Sequence, residues 1–190
     1  MRLVIVLATL AIALPFAISS TALPFGNAVS MRFLERPTHK GVPEFTIPLE
    51  TETGKALDKA SLSAWVAERR EFASGYATRV IPLDMLYLFV LGSFLGIASA
   101  KLADMSAWPT AIARIPVWVW WALPVVYIVC DFAEDTLIFI LLTWPLTVGS
   151  LAFAALAAVR SIKIASVSIA IVQVLLLGLL SYIWVRSPVS

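Results

Sequence analysis

IPVWVWWALPVVYIVCDFAEDTLIFILLTW, residues 115–144, carries no charge besides Asp131, Glu134 and Asp135. LAFAALAAVRSIKIASVSIAIVQVLLLGLLSYIWV, residues 151–185, carries none besides Arg160 and Lys163. These two runs decide the fold. If each is one long helix, the pair forms an antiparallel hairpin about Pro145 to Gly149, and the charges lie inside an apolar domain. If the charges instead mark short loops, residues 136–159 become a span of their own. Spacing favours the hairpin. Counted outward from position 147, Asp131 and Lys163 are equally distant, and so are Glu134 and Arg160. Acid then meets base at matching depth, which is the compensation that ionisable groups within an apolar span require. Such helices are roughly 40 to 50 Å long at about 1.5 Å per residue, so they must tilt or protrude from a bilayer.

The rest of the composition agrees with a membrane setting. Hydrophobic residues make up 61% of the chain and charged residues 14%, against about 25% charged in an ordinary soluble domain, and the mean hydropathy is +0.93. About 20 apolar residues are needed for each helical span, so 190 residues hold four or five spans and little else. A single membrane domain over 1–190 is expected. The net charge of +2 comes from scattered residues, with no basic run interleaved with aromatics, so no nucleic-acid partner is expected. Cys130 is the single cysteine, which excludes a disulfide within the chain.

Ahead of the hairpin, Leu3 to Ala17 is apolar and continues weakly to Phe25 behind Arg2. Residues 1–25 are read as a first transmembrane helix. They also fit a signal peptide, with Ser20-Thr21-Ala22 as a small-residue cleavage site. Residues 26–80 form the extramembrane segment. From Arg36-Pro37 to Pro48-Leu49 it contains prolines and the alternation Phe45, Ile47, Leu49, which suits an extended stretch or edge strand. Beyond Gly54, the residues Leu62, Trp65, Phe72 and Tyr76 fall on one side of a helical wheel, with Arg69 intruding. An amphipathic helix on the membrane or against the bundle is expected.

Residues 81–190 form the membrane bundle. Its first span runs from about Ile81 to Ala100, with Asp84 and Tyr87 as polar residues near its start. Gly92 and Gly96 make a G-x-x-x-G pair that admits a close neighbour. A linker with Lys101, Asp104, Pro109 and Arg114 leads to the decisive hairpin. Arg2, Lys101 and Arg114 favour an internal N-terminus, although the segment after the first span carries more basic residues. The expected fold is therefore all-α: an integral, multi-pass bundle of four transmembrane helices in the cell membrane, with five as the alternative.

Three features resemble a loose group of uncharacterised small bacterial membrane proteins whose third helix carries Asp-x-x-Glu, commonly followed by Asn. These are Pro124 followed by Asp131-Phe-Ala-Glu134, the stretch Ile81-Pro-Leu-Asp84-Met-Leu-Tyr87, and a late helix bearing Lys163. The resemblance covers most of the chain from Trp65 onward. It implies four helices and brings no established activity; the expected location is a bacterial inner membrane. Asp135 stands where that group has Asn, which adds a charge.

Asp131, Glu134 and Asp135 share a helix face at i, i+3 and i+4, with Tyr127 one turn earlier. Adjacent carboxylates repel, and in a desolvated site at least one is expected to hold a proton. Such a cluster serves as a clamp to Arg160 and Lys163, with a partner protein as a further source of charge, as a proton-relay or cation site, or, third, in a membrane-embedded enzyme, for which no nucleophile and base stand at a recognisable spacing. Zinc and di-iron chemistry lack their ligands, because His39 is the sole histidine and Cys130 stands alone. An all-carboxylate Mg²⁺ or Ca²⁺ site from the three acids stays open. Neither G-x-S-x-G, H-E-x-x-H nor a phosphate-cradling glycine loop occurs. Trp108, Trp118, Trp120, Trp121 and Trp184 read as headgroup-level anchors, with a lipid or quinone pocket as the sharper alternative. Ser166 and Gln173 continue the Lys163 side of the last helix as a polar seam. The expectation is a protein without catalytic residues, metal or cofactor, acting as an accessory, assembly or scaffold component beside membrane lipids and a membrane-protein partner. The alternative is a small proton- or cation-linked transporter using Asp131, Glu134 and Lys163.

Overall fold

A computed structural model of the chain describes residues 2–23, 29, 59–104, 108, 112, 114–145 and 151–186. In chain order the helices are α1 (Arg2–Ala22), α2 (Lys59–Glu68), α3 (Arg70–Ala103), α4 (Val117–Thr143) and α5 (Leu151–Arg186). No strand occurs among the described residues. The extended stretch expected at Phe45 to Leu49, the hairpin turn at 146–150 and His39 lie outside them. Three helices are long and apolar enough to cross a membrane: Arg2–Ala22, Arg70–Ala103 and Leu151–Ile183.

The outward faces explain why water is a poor solvent for this fold. None of the residues of α1 is buried, and it holds out Ile12 and Phe16 at 69% and 73% exposure. On α5, Leu175, Leu176 and Leu179 are similarly open. A helix that is apolar around nearly its whole circumference, as α1 is, suits the core of a large protein or a membrane span. The hydroxyls on these helices need no water either. Thr9 donates to the Ile5 carbonyl, Thr21 to Ala17, Thr136 to Phe132 and Ser161 to Ala157. Each is satisfied by its own helix one turn back.

Inside, α3 is the common partner, packed against α1, α4 and α5, while α4 and α5 also pack on each other. The G-x-x-x-G pair of α3 is used within the chain. A methyl group at Gly92 would collide with Ile128 of α4, and one at Gly96 with the ring of Trp121. The two helices approach closely because these positions have no side chain.

At the other end of α3, Leu62 of α2 joins Tyr76, Ala77, Val80, Ile81, Ile138 and Leu141 in one buried cluster, with Trp65 and Phe72 packed against it. Trp65, Phe72 and Tyr76 therefore all turn toward the bundle. The sequence separates a water-facing segment ending near residue 80 from a span starting at Ile81, whereas α3 runs unbroken from Arg70. Its residues Tyr76–Val80 are π-helical. The wider turn re-phases the helix, so that Tyr76, Ala77 and Val80 face inward while Arg79 stays exposed. Only Arg69, non-helical between α2 and α3, breaks the continuity, and it is the residue that intrudes on the aromatic stripe.

Replacing Gly92 or Gly96 by Leu should destabilise the bundle by about 1 to 3 kcal/mol through overpacking. Gly178→Leu should leave stability unchanged, since nothing lies within 4 Å of a methyl group built there. Thermal unfolding of the three variants in the same detergent checks the contrast.

Candidate functional site

Helix α4 carries Tyr127, Asp131, Glu134 and Asp135 on its inner face, while Val129 and Phe132 point outward at 60% and 46% exposure. Helical periodicity thus sorts the carboxylates inward and the large apolar groups outward. Asp131 and Glu134 are each 2% exposed and Asp135 4%. A charge buried this deeply is costly unless it is paired and hydrogen-bonded, so partners are required.

Those partners come from α5. Arg160 Nε donates to Glu134 Oε1 at 2.8 Å, and its Nη2 lies 2.8 Å from the same oxygen. Lys163 Nζ donates to Glu134 Oε2 at 2.9 Å and forms a second ion pair with Asp131. Both oxygens of Glu134 are therefore engaged by α5, and Lys163 bridges two turns of α4. Charge-assisted bonds of this kind are the strongest hydrogen bonds that side chains make.

The cluster reaches further than the hairpin. The Tyr127 hydroxyl lies in hydrogen-bond reach of Asp131. From α3, Asp84 stands within electrostatic reach of Asp131, Glu134 and Lys163 and also of Asp135. Tyr76 is buried within electrostatic reach of Asp84, Glu134 and Asp135, and Tyr87 lies within such reach of Asp84 and Asp131. Four carboxylates (Asp84, Asp131, Glu134 and Asp135) thus share a site with two bases, Arg160 and Lys163. The Asp135 Oδ2 atom is buried without a hydrogen-bond donor. Among the described residues, no group of three or more His, Cys, Asp or Glu side chains is arranged to hold a metal ion. Of the three acids on which the sequence left a Mg²⁺ or Ca²⁺ site open, Asp131 and Glu134 turn oxygens toward Lys163 and Arg160.

Sequence spacing brings the acids of α4 to the bases of α5, but it places Asp84 and Tyr87 only near a helix start. Their membership of the cluster, and that of Tyr76, depends on how α3 is rotated. The one available signal is an acid at the head of an apolar run, which needs an interior partner. The seam predicted beyond Lys163 divides. Ser166 donates to the Lys163 carbonyl of its own helix at 2.9 Å. Gln173 crosses to Ser99 Oγ at 2.8 Å and to the Trp120 carbonyl at 3.1 Å. This second tie joins α5 to both α3 and α4. Trp118 is 67% exposed, as an anchor at a membrane surface would be, and Trp108 Nε1 donates to the Leu102 carbonyl at 2.6 Å.

Fold and site together define an all-helical bundle with candidate membrane-spanning helices and a buried ionic interior. Comparison with family models, curated proteins and solved structures found no match for this chain.

Lys163→Met leaves two buried carboxylates short of a partner, and breaking a buried pair in this way typically costs about 3 to 5 kcal/mol. Lys163→Met combined with Asp131→Asn should be less destabilising than Lys163→Met alone, because Glu134 keeps Arg160 while the stranded charge is removed. Unfolding free energies in mixed micelles give the double-mutant cycle; strictly additive losses would refute the coupling.

Proposed function

We propose that this chain is a multi-pass protein of the cell membrane in which α4 crosses the bilayer together with α1, α3 and α5. It acts there as an accessory or scaffold component of a membrane complex, without catalytic chemistry of its own. The observation that supports this most directly is the engagement of the buried bases. Arg160 and Lys163 bind Glu134 and Asp131 within the chain, so the ionic interior serves to hold α4 and α5 in register. The large apolar faces of α1 and α5 are suited to lipid and to partner helices. The resemblance to small bacterial membrane proteins makes the inner membrane the expected location, and Arg2, Lys101 and Arg114 favour an N-terminus inside.

One observation favours a second reading, a small proton- or cation-linked transporter. Four carboxylates face two bases, and Asp135 Oδ2 has no donor.

Purification from native membranes in mild detergent, followed by mass spectrometry, should return a membrane-protein partner in stoichiometric yield. Proton or cation flux in proteoliposomes that is lost on Glu134→Gln would instead establish the transporter. The crossing of α3 has its own test. With Cys130→Ala as background, single cysteines at Glu68 and Asp104 should react with a membrane-impermeant reagent from opposite sides of sealed vesicles, since α3 alone lies between them. Modification of both from one side would refute it.

A further inference from the structure

Between the last turns of α3 and the first turns of α4 lies a cleft of about 420 Å³, within the size range of small-ligand sites. Its apolar wall includes Ile97 and Ala100 of α3, and its aromatic wall is Trp120 and Trp121 of α4. Lys101 and Asp104 also line it, and both are exposed at its mouth. The aromatic wall is held in place from behind. The Trp121 ring is seated over Gly96, and the Trp120 carbonyl accepts a hydrogen bond from Gln173.

The two charged residues differ from those of the central cluster. No ion pair among the described residues engages Lys101 or Asp104. A cation and an anion, unpaired among the described residues, therefore stand three positions apart beside two indoles, at the end of an apolar helix. Trp at that level marks the headgroup layer of a bilayer, and indole faces attract ammonium groups.

We propose that this cleft seats the headgroup of a zwitterionic phospholipid of the phosphoethanolamine class. Lys101 takes the phosphate, Asp104 and the indole faces take the ammonium, and Ile97 and Ala100 meet the first part of an acyl chain. This assignment rests on α3 and α4 crossing the bilayer. A lipid with an anionic headgroup and no ammonium would satisfy Lys101 while facing the Asp104 carboxylate, so the site discriminates by charge pattern and not by net attraction.

The test uses the full chain, delipidated in detergent and titrated in native mass spectrometry with phosphatidylethanolamine, phosphatidylglycerol and soluble glycerophosphoethanolamine. Phosphatidylethanolamine should bind in preference to the other two. Lys101→Ala should weaken it about fivefold, the equivalent of one basic contact at a membrane surface. Asp104→Asn should remove the preference over phosphatidylglycerol. Both residues are exposed, and unchanged unfolding temperatures in the two variants would show that folding is intact. Equal binding of both lipids by the unaltered chain, or binding insensitive to Lys101→Ala, would overturn the site. Glycerophosphoethanolamine binding as tightly as the lipid would overturn the membrane source of the ligand. Because binding is read in detergent, its failure is separable from failure of the vesicle-labelling test of the spans.

Discussion

Glu134 is the residue on which the arrangement of the helices depends. Its two carboxylate oxygens accept Arg160 on one side and Lys163 on the other, and Lys163 continues to Asp131. In an apolar bundle this geometry does more than offset charge. A hydrophobic contact tolerates a slide of an ångström or a small rotation, whereas a pair of charge-assisted bonds does not. Buried ion pairs add little net stability over well-packed apolar residues, so their contribution here is to register: α5 can sit against α4 at one height only.

The rest of the interior is organised around that height. Toward the start of α3, the cluster is closed off by Tyr76, Ile81, Ile138 and Leu141, with Leu62 of α2 laid against them, and the π-helical turn at Tyr76–Val80 supplies the phase that makes this possible. Toward the end of α3, polarity is reduced to the Gln173 tie to Ser99 and Trp120, and close approach takes over through Gly92 and Gly96. Ion pairs at one end, a single amide in the other half and small residues alongside are three different ways of holding helices together where apolar packing alone gives little directional preference.

The exterior follows the opposite logic. Hydroxyls fold back on their own carbonyls, and large aliphatic and aromatic side chains remain open. Charge reappears where α3 ends, at Lys101 and Asp104 beside Trp120 and Trp121. A scaffold role and a headgroup cleft are compatible on this plan, because the ionic interior, the apolar sides and the aromatic rim occupy separate parts of the bundle.

Much of this was legible in the residues themselves. Length and hydropathy determine the long apolar helices, because each is a property of a continuous run. The i, i+3, i+4 spacing of Asp131, Glu134 and Asp135 puts them on one face by helical geometry alone, and their equal distance from residue 147 anticipates Lys163 and Arg160. Tertiary structure alone decided which neighbour enters the Gly92 and Gly96 groove, that Asp84 and Tyr76 come within electrostatic reach of the acid cluster, that Gln173 reaches the Trp120 carbonyl, and that Lys101 and Asp104 line a cleft with two indoles. The physical reason is common to all four. Periodicity along one helix specifies a face, but the partner of that face is set by the rotation and crossing of a second helix, and no repeat within either sequence encodes that relation.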